Sequence, residues 1–185
     1  MVSTHRPTDR ILAVLAPDGA VAGTAFLAGP LGHLVTCAHV LADAGYAPGH
    51  EVTLRRSNDE TVIARVGTAW GDPDREDIAC LDLTVPAATP GFEFGSSAGV
   101  RPGARYGTFG FPMLMRREGM PGVIEAVGIT HEGGAQALQG RSDEVSLGFS
   151  GAPVWDLDNE LVIGMAYSVI EGGKDPVTAA MGISP

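Results

Sequence analysis

The sequence predicts an all-β protein in two lobes, and three observations carry that expectation. Apolar runs are short, about the length of strands, with one helical turn among them. The 26 glycines and 13 prolines are spread along the 185 residues without a collagen-like period, so they punctuate turns. Near the middle, Pro86-Ala87-Ala88-Thr89-Pro90-Gly91 combines two prolines with little side-chain bulk and reads as a linker. An apolar content of 44% with 18% charged residues suits a chain that buries a core and argues against disorder.

In order, residues 10–16 and 21–28 read as strands joined by the turn Pro17-Asp18-Gly19. Gly23, Thr24 and Ala25 are small enough for another backbone to approach the second strand closely. Residues 31–36 follow the Gly29-Pro30 turn as a third strand, and residues 39–43 form one helical turn before Gly45. Strands at 51–56, 61–70 and 78–85 complete about six, enough for a small closed barrel. After the linker, strands are predicted at 105–109, 122–130, 135–139, 153–156, 161–168 and 177–183. The lobes are residues 1–88 and 89–185.

Charge and cysteine usage exclude several function classes. A net charge of −10 repels a phosphate backbone, so no nucleic-acid partner is expected, and Arg116-Arg117 reads as a solvated turn. The apolar run 11–16 is too short for a signal peptide, and no stretch is long enough to span a bilayer, so no membrane partner is expected. Cys37 and Cys80 make no disulfide framework, and no Cys/His group has zinc spacing. Both lie in apolar runs and read as buried thiols; no metal or cofactor is called for, and the cytoplasm is the simplest address.

The chemistry is concentrated in Gly148-Phe149-Ser150-Gly151-Ala152-Pro153. Two glycines bracket one serine, so the backbone can turn sharply with its amides aimed at a bound group. A serine hydroxyl becomes a good nucleophile only when a base removes its proton. The chain supplies His39 in Thr36-Cys37-Ala38-His39 and Asp77 in Asp77-Ile78-Ala79. Asp74 and Asp82 are rival carboxylates. The order His39, Asp77, Ser150 is one of the known orders of a serine triad.

Together these motifs resemble the trypsin-like serine protease family, from about Gly23 to the chain's last residues. The resemblance implies two six-stranded β-barrels of chymotrypsin-like type with the active site in the cleft between them. It favours Asp77 over its rivals, through the Asp-Ile-Ala match. It implies a serine endopeptidase acting through an acyl-enzyme on a protein or peptide substrate. Ser150 would be the nucleophile, His39 the general base and Asp77 the group that orients the imidazole, with the amides of Gly148 and Ser150 as oxyanion hole. Glu144 falls where the family places the base of the primary pocket, which would favour a basic side chain. Tyr167, Ser168 and Val169 would form one wall. The alternative is a Glu144 that faces solvent on loops of different length.

Departures from the family are informative. Phe149 stands where zymogen-type members carry an acidic residue, and no Ile-Val-Gly-Gly-like start is present, so activation by N-terminal clipping is not expected. Ala152 replaces a common glycine. The short C-terminal part resembles bacterial intracellular proteases fused to regulatory or NTPase modules, including those of defence systems, so a fused or associated regulatory module is expected. Gly-Phe-Ser-Gly-Ala departs from the esterase elbow at its fifth residue, and all five histidines precede Ser150, the wrong order for an α/β-hydrolase. The rival from another class is an inactive protease-like binding or scaffold module.

Overall fold

The structure, a computed structural model, describes residues 6–30, 33–73, 76–113, 118–132, 135–170 and 177–182, with backbone alone at 131–132, 135–136, 168–170 and 177–182. His5, Asp74, the Arg116-Arg117 pair, the first two residues of the third predicted strand and the end of the last one lie outside the described residues.

Ile11–Leu15 (β1) and Val21–Ala28 (β2) form the first hairpin. Its turn closes by the Ala16 N–H donating to Ala20 O at 2.8 Å, and the Asp18 carboxylate accepts the Ala20 N–H at 2.9 Å. His33–Thr36 (β3), Glu51–Arg55 (β4), Thr61–Trp70 (β5) and Ala79–Leu83 (β6) follow, with the short helix Ala38–Asp43 (α1) after β3. All neighbours are antiparallel in the order β1-β2-β3-β6-β5-β4, and Val14 paired with Leu54 closes the barrel. Alternation decides what points inward: Val52 and Leu54 of β4 and Ala64 and Val66 of β5 are buried.

The second half repeats the architecture. Arg105–Gly110 (β7), Met120–Glu132 (β8), Ala135–Arg141 (β9), Pro153–Asp156 (β10), Val162–Ile170 (β11) and Val177–Gly182 (β12) close in the order β10-β11-β12-β9-β8-β7. Val154 opposite Thr108 completes the ring. Closure leaves neither barrel a free sheet edge. The expected all-β class and paired six-stranded barrels are therefore observed. Two short 3-10 turns, Pro7–Arg10 and Ser97–Gly99, are additions that periodicity did not reveal.

The stretch after the predicted linker does more than connect. The Phe92 N–H donates to Leu27 O at 2.8 Å in the first barrel, while the Val162 N–H donates to Glu93 O at 2.9 Å in the second. Phe92 is fully buried, edge-on to Phe26 at 6.1 Å between ring centroids and stacked on Trp155 at 5.9 Å. The Arg10 guanidinium lies 5.0 Å above the same ring. One apolar core thus runs from β1 and β2 into β10 and β11, so the lobes are joined by packing as well as by chain.

Candidate active site

His39 and Asp77 are brought together by the pairing of β3 with β6, which sets Thr36 opposite Ala79. The chain leaves β3 through Cys37, caps α1 and carries His39 on its first turn. Asp77 precedes β6 with φ of 41°, in the left-handed region where Asp and Asn are among the least penalised side chains. Its N–H donates to Asp72 O at 2.9 Å, and its carbonyl accepts the Ala38 N–H at 3.3 Å. The backbone of Asp77 is thus pinned from both sides.

Its carboxylate grips the histidine twice. Oδ1 accepts the His39 backbone N–H at 2.9 Å, and Oδ2 lies 2.7 Å from His39 Nδ1. The Asp77 side chain is 4% exposed and that of His39 31%, so the acid is shielded while the ring reaches the surface. A carboxylate can only accept here, so Nδ1 carries the proton and Nε2 keeps a lone pair. The hydrogen bond from Asp77 raises the His39 pKa above the ordinary 6.5, against the lowering effect of burial, with the charges of Asp77 and Asp43 adding to the rise. Asp82, a rival on sequence, is elsewhere: its Oδ1 meets His33 Nδ1 at 2.8 Å on the exposed face.

Ser150 sits in a turn held against β2. The Thr24 N–H donates to Ser150 O at 2.8 Å, and the buried Thr24 hydroxyl donates to Gly148 O at 2.7 Å while accepting the Phe111 N–H at 3.2 Å. Gly148 has φ of 102° and Gly151 has φ of 89°, both reserved in practice for glycine. A Cβ at Gly148 would strike Phe111 O, and one at Gly151 would strike Thr24 O. Among the described residues, no backbone acceptor takes the N–H of Gly148 or Ser150. Phe149 is fully buried in the second barrel's core, a direct use for the residue that departs from the family pattern.

Small residues on β2 let the two halves meet. A Cβ at Gly23 would stand 2.7 Å from the Val40 methyls and 2.9 Å from Ser150 O. The helix carrying His39 and the turn carrying Ser150 therefore press on the same residue. Thr36 Oγ1 donates to Thr24 O at 2.7 Å, adding a buried link beneath them. Thr24 and Thr36 were not singled out as polar anchors from sequence, since a threonine in an apolar strand gives no signal of its partner.

Glu144, six residues before Ser150, is exposed, and its Oε2 accepts from the Ser142 hydroxyl at 3.0 Å and the Val123 N–H at 3.4 Å. It lines an open cavity of about 410 Å³ with Arg105, Glu125 and Arg141. Tyr167 is half-buried against the core shared by the two barrels. Ser168 and Val169 pair through the backbone with Ala179 and Thr178, and their side chains lie outside the described residues.

Cys37 Sγ, a ring nitrogen of His39 and a carboxylate oxygen of Asp77 lie within 4.8 Å of one another, the one group of metal-capable side chains among the described residues. His39 already occupies both Asp77 oxygens, and burial, followed by the Asp77 charge, pushes the Cys37 thiol well above its ordinary pKa. A protonated thiol is a hydrogen-bond donor rather than a cation ligand.

Comparison with known proteins agrees with this architecture. A family model described as a trypsin-like peptidase domain matches residues 23–165. Serine protease HTRA1B of Danio rerio is 26% identical over 148 residues, covering 76% of this chain and 29% of the relative; serine protease HTRA1A of the same fish matches to the same extent. The chain thus spans less than a third of the curated relatives it matches. Among solved structures, the active form of Rv3671c protease from M. tuberculosis superposes with TM-score 0.70 at 24% identity, over 95% of this chain and 77% of that one. The HtrA-type protease AlgW with a decapeptide gives TM-score 0.75 at 16% identity, over 95% and 61%. At those identities the structural likeness shows the fold, and the family match over residues 23–165 shows the family: the chain belongs to the trypsin-like peptidase domain family.

Proposed function

We propose that this chain hydrolyses peptide bonds through a triad of Ser150, His39 and Asp77 and an acyl-enzyme intermediate. The observation that carries the reading is the double grip of Asp77 on His39, at 2.9 Å and 2.7 Å, from a shielded carboxylate. That arrangement is what a general base needs: the proton is held on Nδ1 and Nε2 is left to take one. Ser150 Oγ attacks the carbonyl carbon as its proton passes to His39 Nε2. The oxyanion is received by the N–H groups of Gly148 and Ser150, and His39 then protonates the departing amine. Water repeats the sequence on the ester, releases the acid and restores Ser150.

For substrate binding the reading assigns Glu144, Tyr167, Ser168 and Val169. Its support is the open cavity at Glu144 and the place of Tyr167 directly after Ala166, whose backbone binds the nucleophile turn. Arg105 and Arg141 share that cavity and reduce what a basic guest gains from Glu144. A peptide-library profile decides the matter: a basic preference that disappears in Glu144→Gln supports the assignment, and a parent profile without one removes it. Protein or peptide substrates fit the likeness to HtrA-type protease AlgW, solved with a decapeptide and with a tripeptide.

The reading extends to a bacterial, cytoplasmic protease module governed by a fused or associated regulatory partner, as in defence systems. The cytoplasmic part rests on the two free cysteines, which suit a reducing compartment. A fluorophosphonate probe followed by peptide mapping tests the chemistry. Label on Ser150 that is absent from Ser150→Ala is the expected result. A folded parent that takes no label overturns the enzyme and leaves a binding module.

A further inference from the structure

We infer that Cys37 is a positioning residue of this site, its thiol wedged between the Asp77 carboxylate and the Ala166 carbonyl so that it couples the histidine arm of one barrel to the nucleophile turn of the other. The inference rests on the triad reading above. Cys37 is fully buried at the junction of β3 and α1, two residues before His39. Its Sγ donates to Ala166 O at 3.5 Å across the boundary between barrels, and it lies within 4.8 Å of the Asp77 carboxylate.

Ala166 is not a passive acceptor. The same carbonyl takes the Gly151 N–H at 2.7 Å, and the Ala166 N–H donates to Ala152 O at 2.8 Å. The Cys37 thiol thus stands within 4.8 Å of the Asp77 carboxylate and shares the Ala166 carbonyl with the N–H of Gly151, the residue after Ser150. The thiol and that carbonyl belong to different barrels, so the contact senses whether they are docked. The thiol has one hydrogen for two acceptors, and burial keeps that hydrogen in place. With the thiol filling the space behind Asp77, the carboxylate keeps both of its bonds to His39. An alanine there would leave a gap into which Asp77 could turn, weakening the bond that raises the His39 pKa.

The rate of fluorophosphonate labelling at Ser150, measured against probe concentration and pH, tests this. In Cys37→Ala the limiting rate falls about fivefold, the loss of one hydrogen bond, with the probe's half-saturating concentration unchanged. The midpoint of the acidic limb moves down towards the ordinary histidine value. Cys37→Ser restores both rate and midpoint, because its hydroxyl supplies a donor. Parental rate and midpoint in a folded Cys37→Ala overturn the inference. So does a slower rate with an unmoved midpoint, which is packing alone, or a serine variant as impaired as the alanine one. Should Cys37→Ala fail to fold, the Raman S–H band decides in a Cys80→Ala background. A hydrogen-bonded band that shifts in Asp77→Asn supports the inference, and one indifferent to Asp77→Asn overturns it. A parent that never labels at Ser150 defeats the triad reading itself, a distinct result.

Discussion

Two histidine–aspartate pairs sit on the same two strands and their flanks, and their contrast shows why one of them is the candidate for catalysis. His33 and Asp82 face each other across β3 and β6 with Nδ1 and Oδ1 2.8 Å apart. His39 and Asp77, at the other end of the same pairing, are 2.7 Å apart. The contact length is nearly equal, but the side chains are 55% and 60% exposed in the first pair, and 31% and 4% in the second. In water the first pair is screened and worth little. The second is shielded, gripped at a backbone N–H as well as the ring, and anchored through the backbone of Asp77. Distance alone therefore does not distinguish the two pairs; burial and a second bond do.

The largest effect separates the histidines. His39→Ala should cost about 10⁶ in turnover, as base removal does in serine proteases, while His33→Ala leaves turnover within about twofold. Steady-state peptide hydrolysis measures both, and equal losses would erase the contrast. Next come the acids: Asp77→Asn is expected to lower turnover by about 10⁴ through loss of the correct tautomer, and Asp82→Asn to leave it unchanged.

A third comparison sharpens the electrostatics. Because Asp77 raises the His39 pKa, the acidic limb of kcat/KM should have its midpoint above 6.5, and Asp77→Asn should bring it down. The sign for stability is opposite to that for activity. The pair's contribution to folding is fully present below the unfolded histidine value and is lost as pH rises through the raised folded value. The stability lost in Asp77→Asn, read from thermal unfolding across pH 5 to 9, should therefore be larger at the acidic end of that range than at the alkaline end. The smallest effect belongs to the exposed pair. Asp82→Asn should change stability by about 0–1 kcal/mol at low ionic strength and by less in high salt, read from urea denaturation.

Much of this was legible in the chain. The strand positions came from short apolar runs between turn residues, and most observed strands begin or end within two residues of those expected. His39, Asp77 and Ser150 stand out as candidates from local motifs, because sharp turns and chemically competent side chains leave marks in neighbouring residues. The small residues of β2 also announced a close approach, though not to what. By contrast, Phe92 lay just beyond a stretch read as linker, and nothing local distinguishes a buried clasp from a solvated one. Glu144 could be counted into register with a family pattern, yet its bonds to Ser142 and Val123 depend on where β8 passes.

By itself the sequence determined the strand pattern, the chemically competent residues and the glycines that must adopt left-handed turns, since each follows from residues adjacent in the chain. Only the tertiary structure decided which carboxylate meets which histidine, that Thr24 holds the Ser150 turn and is itself bound by Thr36, and that the Cys37 thiol reaches the Ala166 carbonyl. Those contacts join residues 12 to 129 positions apart. They exist because closing each barrel and docking the two brings segments distant in the chain together, and the buried ones among them meet little competition from solvent.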